Sequence, residues 1–177
     1  MNEAVLYTLA GLGMSFAGFS GLVVVLPTRR GAQTWSTAEI RMLGLLIGDS
    51  FLVLFLALLP VPLALANWSL NAIWALSSAL LGSWFLLGGL LALRGEFRDR
   101  KAQQSITNPV ITPVRYGLYV VALVMGIFLW LSVWDLVFAR GQALYVLGLM
   151  VLLVFAAVEF LFFIGLVLHK ARKNDAA

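Results

Sequence analysis

The sequence predicts an all-α fold: a polytopic membrane helix bundle with five transmembrane helices, its N-terminus outside and its C-terminus inside. The chain is 62% hydrophobic and only 11% charged, with a mean hydropathy of +1.00, whereas soluble domains carry about 25% charged residues. Five largely apolar runs exceed the roughly 18 residues that mark a membrane-spanning helix. The basic residues fall into alternate loops between these runs. Together these observations predict a single transmembrane domain over residues 1–177.

The predicted spans cover about residues 4–26, 43–66, 72–93, 117–138 and 143–168. At 1.5 Å per residue, each run can cross a hydrocarbon core of about 30 Å as a helix. Helices are expected because lipid offers no partner to a free backbone amide. In the second run, Pro60 and Pro62 predict a kink or a break near its outer end, since proline lacks the amide hydrogen. Only Arg140-Gly141-Gln142 separates the last two spans, which predicts that they are antiparallel neighbours.

The orientation follows from where lysine and arginine fall. Eleven of the twelve lie in the loop after span one, the loop after span three and the tail: Arg29, Arg30, Arg41, Arg94, Arg98, Arg100, Lys101, Arg115, Lys170, Arg172 and Lys173. With five spans these segments share one side and only Arg140 lies opposite, so the positive-inside rule places them in the cytosol. The N-terminal stretch MNEAVLYTLA lacks the basic region of a signal peptide, so the first span is expected to be retained.

Short basic loops beside the spans predict contact with the lipid bilayer, and no nucleic-acid partner is expected. The residues expected to meet anionic headgroups on the cytosolic side, at about 1 kcal/mol each, are Arg29, Arg30, Arg98, Arg100 and Lys101. Aromatic residues are enriched at the two membrane interfaces. They are predicted to mark the inner boundary at Trp35, Tyr116 and Tyr119, and the outer boundary at Tyr7, Trp68, Trp74 and Tyr145.

The stretch VFAAVEFLFFIG places Glu159 inside an otherwise apolar run. Glu159 lies about nine residues from the inner end of its span, or roughly 14 Å deep, which is near the midplane. A charged carboxylate there costs between about 3 and more than 10 kcal/mol unless it meets a partner or water. Two interpretations follow. Glu159 is an ion or proton site, or it is a neutral carboxyl that is hydrogen-bonded to a neighbouring helix and fixes packing.

Asp49 and Ser50 enter from the same side in span two, roughly 9 Å deep. Two carboxylates on different helices at similar depth can share a cation or a proton, so Asp49 and Ser50 join Glu159 as candidate site residues. Trp84, near the middle of span three, is a further candidate because a buried indole N–H needs an acceptor. The alternative for Asp49 is contact with the cytosol or an ion pair with Arg41 two turns away.

Asp135 lies about three residues from the outer end of span four. The sequence predicts an ion pair between Asp135 and Arg140 across the hairpin, which would hold the turn and satisfy the one outer arginine. A role at an extracellular mouth is the alternative.

Small residues recur at helical spacing in two spans. Gly11, Ser15 and Gly18 share one face of span one, and a second face carries Gly13, Ala17 and Gly21. A third stripe lies on span three and consists of Ser78, Gly82 and Gly89. Small residues let helix backbones approach closely in lipid, so these faces predict tight packing within the chain or between copies. The alternative is the wall of a narrow pore.

Chemistry is sparsely supplied. The chain has no cysteine, and its one histidine is His169 at the cytosolic end, so the usual haem, zinc and copper ligand sets cannot form within one chain. No nucleophile–base motif, HExxH or phosphate-binding loop is present. The sequence therefore predicts no enzyme and no cofactor; the alternative is an intramembrane enzyme that uses the two carboxylates.

The segment FAGFSGLVVVLPTRRGAQTWSTAEIRMLGLLIGDSFLVLFLALLP, residues 16–60, resembles a loose group of small uncharacterised bacterial integral membrane proteins. They share an AGFSG-type first helix, a basic loop with tryptophan and a second helix rich in leucine. The resemblance implies a bacterial inner-membrane location and a single compact unit, and it implies no activity.

These residues predict an oligomeric channel or small transporter for a cation or proton. Glu159 would be the midplane site, Asp49 the relay on the cytosolic side, and the small-residue face of span one a wall between copies. The alternative is a structural or accessory subunit that stabilises a larger membrane complex.

Overall fold

The computed structural model describes residues 3–28, 37–101, 111–136 and 141–175. This part of the chain is helical, with elements α1 (Glu3–Thr28), α2 (Thr37–Leu58), α3 (Pro60–Leu65), α4 (Leu70–Lys101), α5 (Ile111–Val133) and α6 (Gln142–Asp175). Its candidate membrane spans are Glu3–Leu22, Leu43–Leu65, Leu70–Arg94, Tyr116–Val133 and Gln142–Gly165. The predictions of an all-α chain and of five helices long and apolar enough to cross a membrane are confirmed.

The chain divides into two compact units. The first comprises Met1–Leu59 and Leu149–Ala177, and so contains α1, α2 and most of α6. The second comprises Pro60–Gly148, and so contains α3, α4, α5 and the first residues of α6. The prediction of a single domain stays a prediction.

The proline pair breaks the second span. Helix α2 ends at Leu58, and α3 begins at Pro60 after one turn residue. The Leu59 amide still donates to the Phe55 carbonyl at 2.9 Å. The next residue, Pro60, has no amide hydrogen, so the helical hydrogen bonding stops there. Proline suits the first turn of the next helix, where an amide hydrogen would have no partner. The predicted kink or break is therefore a break.

The connection from α3 to α4 is closed by backbone and side-chain caps. The Asn67 amide donates to the Ala64 carbonyl at 3.0 Å and the Trp68 amide to the Leu63 carbonyl at 3.2 Å, which is the Schellman pattern. Asn67 takes the left-handed conformation that this motif requires, with φ 60°. Ser69 then caps α4, because its hydroxyl accepts from the Ala72 amide at 3.3 Å.

Helix α5 ends in the same way. The Asp135 amide donates to the Ser132 carbonyl at 3.2 Å and the Leu136 amide to the Leu131 carbonyl at 3.1 Å, with φ 52° at Asp135. Asparagine and aspartate tolerate this conformation better than most residues. The backbone of Asp135 therefore terminates the helix.

In the first unit, α1 packs on α2 by direct backbone approach at Gly13. A Cβ added there would lie 2.8 Å from the Ser50 carbonyl oxygen and 3.1 Å from the Leu54 nitrogen. The same helix contacts α6 through Phe16 and Phe160, whose rings meet edge to face with centroids 6.2 Å apart. Glycine at position 13 is what allows α1 to lie this close to α2.

In the second unit, α4 and α5 pack antiparallel through facing glycines. A Cβ at Gly82 would lie 3.2 Å from the Gly126 carbonyl oxygen, and one at Gly126 would lie 3.1 Å from that of Gly82. Seven residues further along α4, Gly89 packs on Leu123 of α5. The start of α6 joins them at Gly148, where a Cβ would meet Leu81 and Leu129.

Two of the aromatic residues predicted at the outer boundary lie inside the second unit. Trp74 is 6% exposed and Tyr145 is fully buried, and their ring centroids are 5.9 Å apart. These rings therefore pack against each other instead of facing headgroups. Tyr7 and Trp68, by contrast, are about half exposed, as an interfacial position requires.

Candidate functional site

The residues predicted to form an ion or proton site fall mainly in the first unit. Asp49 and Ser50 lie on α2 and Glu159 on α6. Asp49 is 7% exposed and Ser50 is fully buried. The Ser50 hydroxyl donates to the Leu46 carbonyl at 2.6 Å, a back-bond within its own helix that leaves the hydroxyl oxygen able to accept.

Asp49 on α2 and Glu159 on α6 lie in the same compact unit, within the range of an unscreened electrostatic interaction. The Glu159 side chain is partly buried, and its Oε2 is fully buried with no hydrogen-bond partner in the described part of the chain. The sequence placed the two residues at similar depth, and the structure brings them together in one unit.

The surroundings of the carboxylate pair are apolar. Fully buried Leu46 and Val53 flank it along α2, and Ala156 and Phe163 flank it one turn away along α6. In such surroundings the repulsion between two like charges is screened much less than in water. The repulsion falls when one carboxyl is protonated or a cation lies between the two.

The side chains that the structure describes in the first unit carry no positive charge. Among the side chains that the structure describes in it, the titratable ones are Glu3, Tyr7, Asp49 and Glu159. The side chain of Arg41, the alternative partner predicted for Asp49, lies outside the described residues. The described groups near the pair thus include two acids and no base, which suits a proton or a cation as the shared ligand.

Trp84 is the further residue predicted for this site. It lies on α4 in the second unit and is 42% exposed. A buried indole N–H needs a hydrogen-bond acceptor from the protein. The exposed indole of Trp84 has no such requirement.

The small-residue faces divide into a packed and an open set. Cβ atoms added at Gly11 and Gly18 would meet nothing within 4 Å, and Ser15 is exposed with its hydroxyl bonded to the Gly11 carbonyl at 2.8 Å. On the other face of α1, Gly13 packs against α2, whereas a Cβ at Gly21 would also meet nothing within 4 Å. On α4 the predicted stripe is packed: Ser78 is 2% exposed, and Gly82 and Gly89 contact α5.

The remaining predictions concern charged residues near the ends of the helices. Asp135 is described and exposed, but Arg140 lies outside the described residues, so their ion pair stays a prediction. Arg29 and Arg30 also lie outside. Arg98, Arg100 and Lys101 belong to α4, and their side chains are outside the described part.

These features support one class: a multi-pass integral membrane protein with two acidic residues, Asp49 and Glu159, on two helices of its first unit. Comparison of the chain with protein-family models, with curated proteins and with solved structures found no match.

Proposed function

We propose that this protein is an oligomeric channel or small transporter for protons or small cations in the bacterial inner membrane, and that Asp49 and Glu159 form its site. The observation that carries the proposal is the presence of two acidic side chains on different helices of one compact unit, where Glu159 Oε2 is buried and has no hydrogen-bond partner among the described residues. The N-terminus would be outside and the C-terminus inside, as the distribution of basic residues favours.

The unpartnered oxygen favours transport over packing. A carboxyl that is kept only to join two helices would have its oxygens hydrogen-bonded, as nearly all buried polar atoms are. In the described part of the chain, Glu159 Oε2 has no such bond. A carboxylate near the midplane that keeps a free acceptor is suited to a ligand that comes and goes.

The charge of the ligand follows from the groups at the site. Two acids at one place attract a positive species and repel an anion. No lysine or arginine falls within the five predicted spans, so an anion would find no counter-charge at this depth. Asp49, nearer the cytosolic end, would exchange the proton or cation with the cytosol, and Glu159 would hold it at the midplane.

Self-association would complete the pathway. Five helices with few polar groups leave little room for water inside one chain. The open face of Gly11, Ser15 and Gly18 offers a close contact for a second copy. In this arrangement the small-residue face of span one, which is predicted to line the pathway, lies between two copies.

The test is proton uptake into vesicles that contain the purified protein. We expect wild type to dissipate an imposed pH or cation gradient and Glu159→Gln to lose this activity, because the amide is isosteric with the carboxyl but cannot take up or release a proton. The matched control is Glu3→Gln, which removes an exposed acid in the first turn of α1 and is expected to leave uptake unchanged. Unaltered uptake in Glu159→Gln would remove Glu159 from the mechanism.

One observation favours the second candidate, an accessory subunit of a larger membrane complex. The open stripe of α1 would serve a different protein as well as a second copy. Loss of the gradient at the same rate in wild-type vesicles and in protein-free vesicles would favour this function.

A further inference from the structure

The oxygen atoms around the carboxylate pair, Asp49 and Glu159, distinguish a proton from a metal ion as the ligand of the site. A cation that loses its water in a membrane site needs several protein oxygens in place of its hydration shell. Ca²⁺ takes roughly 6 to 8 oxygen ligands, and Mg²⁺ needs a near-ideal octahedral set. A proton needs only one oxygen, to which it binds covalently. The supply of oxygens therefore indicates which ligand the site takes.

The described main chain at the carboxylate pair offers no unwound carbonyl. Asp49 lies inside α2 (Thr37–Leu58) and Glu159 lies inside α6 (Gln142–Asp175), and both helices are continuous through the site. In a continuous α-helix each carbonyl accepts from the amide four residues further on. Ion sites in transporters use carbonyls from unwound segments instead. The break in the second span is at Leu59, ten residues or about 15 Å along the helix from Asp49.

Hydroxyl groups add little to the supply of oxygens. Among the described side chains of the first unit, the buried hydroxyls are those of Ser20 and Ser50. The Ser20 hydroxyl donates to the Ala17 carbonyl at 2.7 Å. The Ser50 hydroxyl donates to the Leu46 carbonyl at 2.6 Å. Ser20 lies seven residues, about 10 Å, beyond Gly13, the residue of α1 that meets Ser50. Only the Ser50 hydroxyl, already bonded within its own helix, therefore accompanies the two carboxyl groups among the described side chains.

Helix α1 brings no ionisable side chain to this level within the described residues. It meets α2 at Gly13, and its Phe16 ring meets the Phe160 ring of α6. The titratable residues of α1 whose side chains are described are Glu3 and Tyr7, and both are exposed. No group of three or more His, Cys, Asp or Glu side chains that could hold a metal ion occurs in the part of the chain that the structure describes.

We propose that the ligand of the carboxylate pair is a proton and that the site does not bind metal ions. Glu159 Oε2, which is buried without a hydrogen-bond partner among the described residues, is the oxygen that binds the proton. An O–H bond forms at this oxygen when a proton arrives from water, and it breaks when the proton returns to water. The bound proton removes the repulsion between two like charges in apolar surroundings. This inference rests on the proposed function, because it names the ligand of the same site.

Infrared spectroscopy of the full chain in lipid vesicles tests the proposal, because a protonated carboxyl has a C=O stretching band that a carboxylate lacks. In choline buffer, we expect lowering the pH to produce such a band in wild type and in the matched control Glu3→Gln, and the component from residue 159 to be missing in Glu159→Gln. Adding Na⁺, K⁺ or Ca²⁺ at constant pH is expected to leave the wild-type band unchanged, whereas a metal ion bound to the pair would displace the proton. Loss of the residue 159 component on addition of one of these ions, or identical bands in wild type and Glu159→Gln, would overturn the proposal.

A second measurement uses wild type alone. We expect Na⁺ or K⁺, added to the unbuffered protein with a pH-indicator dye, to release no more protons than the same concentration of choline. Release of about one additional proton per chain would show that a metal ion replaces the proton at the site, and it would overturn the proposal.

These results also separate the inference from the proposed function. If wild-type vesicles do not dissipate an imposed gradient but the residue 159 band is present and insensitive to metal ions, transport is rejected and the proton site is kept. If wild-type vesicles dissipate a gradient only in Na⁺ or K⁺ and not in choline, transport is kept and the proton is rejected as the ligand.

Discussion

Gly13→Ala is expected to destabilise the first unit by about 1 to 3 kcal/mol, the usual range for overpacking a filled interface. The added Cβ would lie 2.8 Å from the Ser50 carbonyl oxygen. Because both that oxygen and the neighbouring Leu54 nitrogen belong to the backbone of α2, no side-chain rotation relieves the clash. The two helices must move apart, and the contact is lost along their length.

The matched control is Gly11→Ala on the same helix. A Cβ at Gly11 meets nothing within 4 Å, and alanine favours a helix over glycine by up to about 1 kcal/mol. Gly11→Ala is therefore expected to match wild type or exceed it in the temperature at which the purified protein unfolds. Equal unfolding temperatures for Gly13→Ala and Gly11→Ala would contradict the packing described for α1 and α2.

The Gly13 contact also bears on function. Ser50 follows Asp49 directly, so a shift of α2 at Ser50 moves Asp49 relative to Glu159. We expect Gly13→Ala to lower uptake as well as stability, although residue 13 has no polar side chain.

Asp49→Asn and Glu159→Gln are expected to act on one step, so that the double variant is no worse than either single variant. Each single variant should reduce uptake to near the level of protein-free vesicles, because each leaves one carboxyl where the step needs two. Residues that act as a unit give strongly non-additive losses when both are removed. Residues that act independently would show losses that multiply.

A conservative variant separates the carboxyl from the shape of its side chain. Glu159→Asp keeps the ionisable group and withdraws it by one methylene, and we expect it to retain part of the uptake that Glu159→Gln loses. The opposite pattern is complete loss of uptake in Glu159→Asp and full uptake in Glu159→Gln. It would show that uptake does not depend on the carboxyl, and it would reject the pair as the site.

The spans and their break were predictable because the signals are local. A run of apolar residues long enough to cross the bilayer is itself the cause of a spanning helix, and Pro60 ends α2 through its own missing amide hydrogen. Helices α4 and α6 run on to Lys101 and Asp175, past the predicted ends at 93 and 168. The span ends where apolar residues end, whereas the helix ends where its backbone bonding ends.

The rotation of each helix was not predictable. On α1, the face with Gly11 and the face with Gly13 have similar composition, yet a Cβ added at Gly13 would meet the backbone of α2 and one added at Gly11 would meet nothing within 4 Å. In a soluble helix the polar face would decide which side turns inward, but lipid is as apolar as the protein interior and gives no such preference. The close approach to Ser50 decides it, and that is a contact between distant parts of the chain.

The same limit applies to the candidate site. Depth along a helix can be counted from the sequence, and this count placed Asp49 and Glu159 near the same level. Whether two side chains at one level face each other depends on rotation, and Trp84, predicted at nearly the depth of Glu159, is 42% exposed in the second unit. Tyr145 lies near a span end, which favours the membrane boundary, yet its ring is buried against Trp74.

The most direct test of the central claim, that Glu159 faces a pathway for protons or cations, is the reactivity of a cysteine at that position. The chain contains no cysteine, so Glu159→Cys gives a single thiol. We predict that it reacts with a small cationic thiol reagent added from water, while Leu161→Cys, which is 66% exposed on the chain and faces lipid in this account, does not. Protection of both positions would contradict the account and leave Glu159 as a packing residue.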